Sequence, residues 1–552
     1  MEETKRYPVG IQTFSNIIRG NYVYVDKTDL MWELAHYAKY IFMSRPRRFG
    51  KSLLTTTLES YFRGEKELFE GLKIMQFEKE WQQYPVIHLD LSTAKGQDSV
   101  KELRARLFFL LKEYTDLFGK DDDETTPGSM LLGLIRRAYE QTGQQVVVII
   151  DEYDAPLLEV LHEEENLPSF RKVMQEFYQP LKACEAMIKF CFITGITKFS
   201  QLSIFSTINN LTNVTLDPKF SAICGITEEE LTTVLQKDIE RLATFNDLTP
   251  EEMHLKLKLR YDGYHFSEYS PEIYNPFSLL KAFQQQKVSN YWFDTGTPSY
   301  LIQQLRLFKT DIMSLDRLEA FASDFDLPTE AMRTAIPLLY QSGYLTIKDY
   351  ERESEMYTLA IPNQEVRIGY TEGLLPLYTG LETRDVRAGF ALKFWRALKK
   401  GDADLAMREM QAYMAGIPYV EGFKQKLADA ATAEGFYEYT MYLIFSMLNV
   451  YVRTQVKVWS SESHTSSLED DRVATELGKA KCAGGRTDMV VWMPDTTYVF
   501  ELKLNDTAQH ALEQIDSKGY AFPYQTGDRR VVKVGVSFDA ETRTPKDWII
   551  SR

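Results

Sequence analysis

The chain has 552 residues, of which 44% are apolar and 13% aromatic, so it can build packed cores and is not a disordered chain. At this length we expect about two to four domains. Its formal net charge of −15 argues against a generally basic surface that coats nucleic acid, but not against a local basic groove or acidic sites that hold metal ions.

No feature of the sequence indicates membrane insertion or secretion. A run of about 18 apolar residues is absent, so no transmembrane helix is expected, and the start, Met-Glu-Glu-Thr-Lys-Arg, lacks the apolar core of a signal peptide. The four cysteines are scattered without C-x-x-C spacing, which indicates reduced thiols and not a disulfide framework or a zinc site. We therefore expect a cytoplasmic protein.

The first motif with chemical content is the segment 44–52, Ser-Arg-Pro-Arg-Arg-Phe-Gly-Lys-Ser. An apolar run precedes it and apolar residues at helical spacing follow it, which predicts a strand, a loop and a helix. Gly-Lys-Ser at 50–52 is the second half of a Walker A loop, in which lysine reaches the β- and γ-phosphates and serine holds Mg²⁺. The residues predicted to bind the nucleotide here are Arg45, Pro46, Arg47, Arg48, Phe49, Gly50, Lys51 and Ser52.

Three residues of this loop raise questions that the sequence leaves open. Arg45 stands where the Walker A pattern has its first glycine. Arg47 and Arg48 can contact phosphates, act across a subunit interface as charge-stabilising fingers, or pair with acids.

A second motif lies at 146–152, Val-Val-Val-Ile-Ile-Asp-Glu. Five consecutive β-branched residues predict a strand buried on both faces, as in a parallel sheet, and ligands bind at the carboxyl ends of such strands. We predict that Asp151 holds Mg²⁺ through water and that Glu152 polarises the attacking water. The apolar strand 188–194 ends at Thr194, which we predict senses the γ-phosphate. The two motifs together indicate ATP and Mg²⁺ as cofactors.

Helices dominate after residue 226, and one segment among them has a distinct pattern. A helix over 331–342, followed by strands over 343–347 and 357–361, is typical of a winged helix. A DNA-reading role would need basic residues on the recognition helix, and this one has few. We therefore expect a structural lid.

The C-terminal region contains a second constellation of charged residues. Two strands, 484–492 and 498–504, are predicted to be joined by a turn. Residues two apart on a strand share a face, so Glu501 and Lys503 point the same way, and Asp488 on the preceding strand can meet them. Converging carboxylates call for a cation such as Mg²⁺, and a neighbouring lysine can offset charge on a phosphate. Gln514 on the following helix is placed to reach the cluster; the competing interpretation is a hairpin with solvated charges.

These motifs together resemble those of the bacterial AAA-ATPase-like proteins with a C-terminal PD-(D/E)XK nuclease-like domain, over nearly the whole chain. The segments that carry the resemblance are 7–10, 25–28, 44–52, 150–154, 485–488, 500–503 and 518–521. The resemblance implies nucleotide and Mg²⁺ roles for Lys51, Ser52, Asp151 and Glu152. It implies nuclease roles for Asp488, Glu501 and Lys503, with Glu434 as the upstream helix acid and Gln514 in support. The order of segments is also similar to that of the STAND class of nucleotide-switched ATPases.

The expected fold class is α/β: a P-loop NTPase with a parallel sheet, a helical lid and a winged-helix region, then a restriction-endonuclease-like α/β domain. The expected boundaries are 1–226 for the P-loop domain, 227–325 for the lid, 326–365 for the winged-helix-like region, 366–425 for a helical connector and 426–552 for the nuclease-like domain.

Three functions follow from these expectations. The first is an ATP-dependent or ATP-gated DNA nuclease that acts in defence against foreign DNA. The second is a nucleotide-switched binding or scaffold protein whose nuclease fold only docks nucleic acid or a partner. The third is an ATPase motor. The expected partners are a nucleotide and DNA, with RNA and a homo-oligomer left open and no membrane.

Overall fold

The computed structural model of the chain describes residues 5–197, 211–292, 318–370, 384–415, 451–458 and 485–552, apart from short gaps inside these ranges, and a few single residues between them. The chain forms two compact units. The first comprises Met1–Gly296, Gln303–Thr310 and Arg317–Val366, and the second comprises Thr297–Ile302, Asp311–Asp316 and Arg367–Arg552. In the part of the chain that the structure describes, no helix has the length and apolar character that crossing a membrane requires.

A five-stranded parallel sheet forms the centre of the first unit. Its strands are β1 (Tyr40–Ser44), β2 (Val86–Asp90), β3 (Val146–Asp151), β4 (Ile188–Gly195) and β5 (Thr212–Asn213). Their order across the sheet is β2-β3-β4-β1-β5, so β4 lies between the two strands that end in the nucleotide motifs. Every residue of β1 and β3 is buried, which confirms the strands predicted from the apolar runs.

Helices of the first unit surround this sheet and continue beyond it. They are α1 (Phe14–Arg19), α2 (Thr28–Tyr37), α3 (Lys51–Phe62), α4 (Val100–Phe118), α5 (Pro127–Thr142), α6 (Ala155–Leu158), α7 (Leu167–Ala183), α8 (Glu228–Val234), α9 (Gln236–Phe245), α10 (Pro250–Tyr261), α11 (Pro276–Gln285), α12 (Ala322–Phe325) and α13 (Ile336–Gln341). Apolar side chains of α4, α5 and α7 pack with those of the sheet into one core. A separate core joins α8, α9, α10 and α11.

The segment with the winged-helix pattern has a shorter helix than expected. Its helix, α13, begins only at Ile336, because Pro337 in the first turn favours a helix start and not a helix interior. Strands β8 (Leu318–Ala320), β9 (Thr346–Glu351) and β10 (Met356–Ala360) form an antiparallel sheet in the order β8-β10-β9. A two-stranded pair, β6 (Ile226–Thr227) with β7 (Ile273–Tyr274), lies earlier in the chain.

A mixed five-stranded sheet forms the centre of the second unit. Its strands follow chain order: β11 (Tyr451–Val458), β12 (Gly485–Trp492), β13 (Thr496–Leu504), β14 (Arg530–Phe538) and β15 (Pro545–Ser551). Only β13 and β14 are parallel, and the crossover between them contains the helix α16 (Ala508–Lys518). Two further helices, α14 (Arg384–Lys399) and α15 (Ala403–Ala415), pack on each other. The expected α/β fold class is confirmed.

Gly535 on β14 shows how closely α16 packs on this sheet. A Cβ at Gly535 would lie 2.4 Å from the carbonyl oxygen of Ala508 and 2.7 Å from the amide nitrogen of Leu512. Because both atoms belong to the helix backbone, no side-chain rotation can relieve the clash. We expect Gly535→Ala to destabilise the second unit by about 2 to 3 kcal/mol, measured by chemical denaturation.

Gly389 provides the matched control for this substitution. It lies inside α14 of the same unit, and a Cβ there would meet nothing within 4 Å. Gly389→Ala is expected to leave stability unchanged or to raise it by up to about 1 kcal/mol, since alanine is the better helix former. Equal denaturation midpoints for the two variants would contradict the close approach of α16.

Candidate functional site: a nucleotide loop and a carboxylate–lysine cluster

Arg45 begins the loop between β1 and α3, and its guanidinium is bound to backbone carbonyls. Its side chain is 1% exposed. Nη1 donates to the carbonyl oxygens of Ser44 (2.9 Å) and Thr215 (2.8 Å), and Nη2 donates to that of Phe220 (3.1 Å). The guanidinium is therefore bound within the fold, and the contact of Arg45 with the nucleotide stays a prediction.

Lys51 is folded back onto its own loop. Its Nζ donates to the carbonyl oxygens of Arg45 (2.9 Å) and Pro46 (3.0 Å). Burial lowers the pKa of this ammonium, while the nearby acids Asp151 and Glu152 oppose the shift. Gly50 precedes the helix with φ of 94°, a left-handed conformation that favours glycine. The loop thus has the strand, turn and helix start that a phosphate site requires.

The remaining loop residues face different surroundings. Phe49 is fully buried, and Pro46 is buried as well. Arg48 has φ of 68°, and its guanidinium carbon lies 3.8 Å from the centre of the Phe277 ring. Arg47 is exposed. For Arg47, the three interpretations (a phosphate contact, a finger across a subunit interface, or a pair with an acid) all stay open. Arg48 stacks on an aromatic side chain in this structure.

The acids at the end of β3 lie beside the start of α3. Asp151 is 3% exposed, and its carboxylate lies close to the Ser52 hydroxyl and accepts a hydrogen bond from the Thr55 hydroxyl at 3.5 Å. Burial raises the pKa of Asp151, and the Ser52 hydrogen bond and Lys51 counteract that shift. A buried acid beside a serine hydroxyl suits a Mg²⁺ ion that carries a nucleotide. Glu152 follows with φ of 48° and is half-buried.

Sequence reasoning missed two residues at this edge of the sheet. Lys95, in the turn after β2, forms an ion pair with Glu152, with 2.8 Å between Nζ and Oε2. Asp90 ends β2 in register with Asp151 and raises its pKa. Asp90 could have been found, because it ends an apolar run just as Asp151 does; nothing in the sequence pairs Lys95 with Glu152.

Thr194 lies at the carboxyl end of β4, between the nucleotide loop and β3. It is fully buried and stands in register with Met43 of β1. Its hydroxyl oxygen has no hydrogen-bond partner within the described residues. A buried hydroxyl without a partner is costly in a folded protein, so this atom is available to a ligand at the strand ends.

The second site brings four of the predicted residues together in the second unit. Lys503 Nζ lies 3.3 Å from Glu501 Oε1, and the side-chain amide of Gln514 donates to the same oxygen. Asp488 Oδ2 accepts from the Leu502 amide at 2.8 Å, and the Asp488 amide donates to Glu501 Oε2 at 3.4 Å. Glu434 lies outside the described residues.

Electrostatics at this cluster favour a cation. Glu501 is 1% exposed, and burial together with the charge of Asp488 raises its pKa to about 7, while Lys503 opposes the shift. Two close carboxylates with one lysine fit a divalent ion with oxygen ligands. Among the described residues, however, no group of three or more His, Cys, Asp or Glu side chains is arranged to hold a metal ion. Within the described residues, Asp488 and Glu501 are therefore two acidic ligands for a metal ion, and a set of three would need one more acid.

Stability of the metal-free chain is expected to depend on pH through Glu501. Because its folded pKa lies near 7 and its ordinary value is 4.5, the folded state keeps a proton that the unfolded state releases. Stability therefore falls as the pH rises from about 4.5 to about 7, by a loss on the order of 3 kcal/mol. Thermal unfolding across this window measures the loss, and Glu501→Gln, which stays neutral, should show a smaller one. Identical pH profiles for the two proteins would contradict the shift.

Comparison with known proteins yields two families and one relative. A family model described as "Predicted AAA-ATPase" matches residues 8–205, and one described as "PD-(D/E)XK nuclease superfamily" matches residues 478–548. The chain is 30% identical over 557 residues to the "Uncharacterized protein in vnfD 5'region" of Azotobacter chroococcum mcd 1, with 99% of each chain covered. The first match contains the nucleotide loop and the acids of β3, and the second contains the carboxylate–lysine cluster but not Glu434.

Proposed function

Because the chain belongs to the family of predicted AAA-ATPases with a C-terminal PD-(D/E)XK nuclease domain, we propose that it binds and hydrolyses ATP and that the nucleotide gates metal-dependent cleavage of DNA. Its biological role in this proposal is defence against foreign DNA. The observation that carries the nuclease half is the convergence of Asp488, Glu501 and Lys503 at one point of the second unit.

The nucleotide half of the proposal rests on the edge of the parallel sheet. Lys51 exchanges its contacts with the loop carbonyls for contacts with the β- and γ-phosphates, and Ser52 and Asp151 are the residues that would hold the Mg²⁺ that accompanies the nucleotide. Glu152 orients the attacking water once its carboxylate separates from Lys95. Thr194, with its unpartnered hydroxyl, hydrogen-bonds the γ-phosphate or that water.

The nuclease half rests on charge placement around a phosphodiester. Asp488 and Glu501 are the residues that would hold Mg²⁺, and Glu501 gives up its proton when it does so. When bound, Mg²⁺ supplies positive charge that stabilises the negative charge developing on the phosphate. Lys503 adds a second positive charge from the same strand face, and Gln514 holds the Glu501 carboxylate in its orientation. This set of side chains suits hydrolysis of a phosphodiester.

A cleavage assay with the full chain tests the proposal. Supercoiled DNA, linear DNA and RNA are incubated with Mg²⁺ or Mn²⁺, each with ATP, with ADP or without nucleotide. Gating predicts that cleavage with ATP is at least about tenfold faster than without nucleotide. A chain that cleaves neither DNA nor RNA under any of these conditions would not be a nuclease of the proposed kind.

A second candidate function is a nucleotide-switched binding protein whose nuclease fold does not cleave. It is favoured by the contact of Asp488 Oδ2 with the Leu502 amide, which occupies one of the carboxylate oxygens that a metal ion would use. In this case Lys51→Ala abolishes the cellular function, whereas Asp488→Ala and Lys503→Ala are silent. The same three variants in a phage or plasmid challenge of the host therefore distinguish the two candidates.

A further inference from the structure

Arg45 has an unusual role for the position of the first Walker A glycine. Its guanidinium is held by three backbone carbonyls, those of Ser44, Thr215 and Phe220. Only Nε has no hydrogen-bond partner within the described residues. The contacts with Thr215 and Phe220 tie the end of β1 to a segment that follows β5, so the side chain is anchored on the protein and not on the nucleotide.

Burial of the charged Arg45 guanidinium costs free energy, and its three carbonyl partners offset part of this cost. Burial lowers the pKa of Arg45, and none of the ion pairs among the described residues includes it. In place of a carboxylate, its guanidinium carbon faces the ring of Phe266, 4.5 Å from the ring centre. The three carbonyls and the ring together restrict the side chain to one orientation.

The backbone of Arg45 holds the lysine that the nucleotide needs. The carbonyl oxygens of Arg45 and Pro46 both accept from Lys51 Nζ, at 2.9 and 3.0 Å. When Lys51 turns to the phosphates, these two carbonyls lose their donor. The guanidinium of Arg45 stays fixed during this exchange, so the loop can pivot about it.

The rest of the loop packs against residues far away in sequence. Phe49 makes edge contacts with Tyr264 and Phe266, with ring centres 4.8 and 5.2 Å apart, and these three residues are called the aromatic cluster below. The Tyr264 hydroxyl donates to the Gly343 carbonyl at 3.1 Å. A Cβ at Gly343 would lie 2.7 Å from Pro46 Cβ, so the turn before β9 touches the loop directly.

We propose that Arg45 is a positioning residue that transmits nucleotide occupancy from Lys51 to the aromatic cluster and to the turn at Gly343. It does not bind phosphate. A glycine at this position could admit the nucleotide but would remove the guanidinium about which the loop pivots. A rotation of the loop would then not be passed on to Phe266. The inference rests on the proposed ATP binding and is independent of nuclease activity.

Arg45→Gly restores the standard Walker A pattern and separates binding from transmission. ATP affinity is measured with a fluorescent ATP analogue, and transmission is measured as the ATP-induced change in Trp292 fluorescence. Trp292 reports on the turn because a Cβ at Gly343 would lie 3.5 Å from its ring. Trp292→Phe is the blank that identifies this signal among those of the other tryptophans.

The expected result is a split between the two measurements. Arg45→Gly binds ATP within about threefold of the wild-type Kd but loses most of the Trp292 signal at saturating ATP. Arg45→Lys, which keeps the charge but not the fork of donors, retains part of the signal. A full Trp292 signal in Arg45→Gly overturns the proposal, and so does a loss of affinity greater than about tenfold, since Arg45 would then be a phosphate ligand.

Phe266→Leu tests the same link if Arg45→Gly does not fold. It removes the ring beneath the guanidinium and leaves the loop sequence intact, so near-normal affinity with a reduced Trp292 signal is expected. A full signal in this variant contradicts the transmission route. Failure of the wild-type chain to bind ATP would instead refute the proposed function, which keeps the two failures distinct.

Discussion

Lys503→Ala is expected to slow metal-dependent DNA cleavage by about two orders of magnitude or more. The Lys503 ammonium lies 3.3 Å from Glu501 Oε1 and on the strand face where a phosphate would meet Mg²⁺. In the proposed mechanism, its removal takes away a charge that would stabilise the transition state. It also raises the pKa of Glu501 further, because Lys503 is one of the groups that lower it. The second effect weakens metal binding at neutral pH.

A titration with Mg²⁺ separates these two effects. If Lys503 acts on the phosphate, saturating Mg²⁺ does not restore the cleavage rate of Lys503→Ala. If it acts only through Glu501, high Mg²⁺ or a higher pH restores the rate. Lys546→Ala is the matched control, because Lys546 is an exposed lysine on β15 of the same sheet and its loss changes the net charge equally. Equal cleavage by the two variants would contradict the role of Lys503.

Lys51→Ala is expected to weaken ATP binding by about 100-fold, which corresponds to losing one or two charge-assisted hydrogen bonds to the phosphates. The same substitution leaves the carbonyls of Arg45 and Pro46 without a donor, although it also removes a buried ammonium. The loss of the donor lowers the free energy of unfolding, whereas the removal of the buried ammonium raises it. Binding is therefore measured by calorimetry at a temperature where circular dichroism shows the variant to be folded.

The same variant tests the coupling between the two sites. Its carboxylate–lysine cluster is unchanged, so Lys51→Ala should cleave DNA at the nucleotide-free rate whether or not ATP is added. Lys66→Ala, an exposed lysine in the short helical turn after α3, is the control and should respond to ATP as the wild type does. An ATP response that survives in Lys51→Ala would show that nucleotide acts elsewhere.

Local patterns were sufficient to predict the elements that carry both sites. The buried run of β3 and the loop before α3 are contiguous in sequence, and their hydrophobic periodicity is visible over short windows. The meeting of Asp488 with Glu501 follows from the pairing of β12 with β13, strands joined by a tight turn, and from the two-residue period of a strand. The helix predicted over 331–342 begins later than expected, at Ile336, since Pro337 lies in its first turn.

Short stretches of the chain were enough to predict which residue types stand at the strand ends and which of them share a face, because these properties depend on neighbours a few residues away. The anchoring of Arg45 on Thr215 and Phe220 and the pairing of Lys95 with Glu152 are visible only in the folded chain. These contacts join residues that are far apart in the chain, and their existence depends on the order of strands in the sheet. That order results from packing of the whole unit and leaves no periodic signal in the sequence.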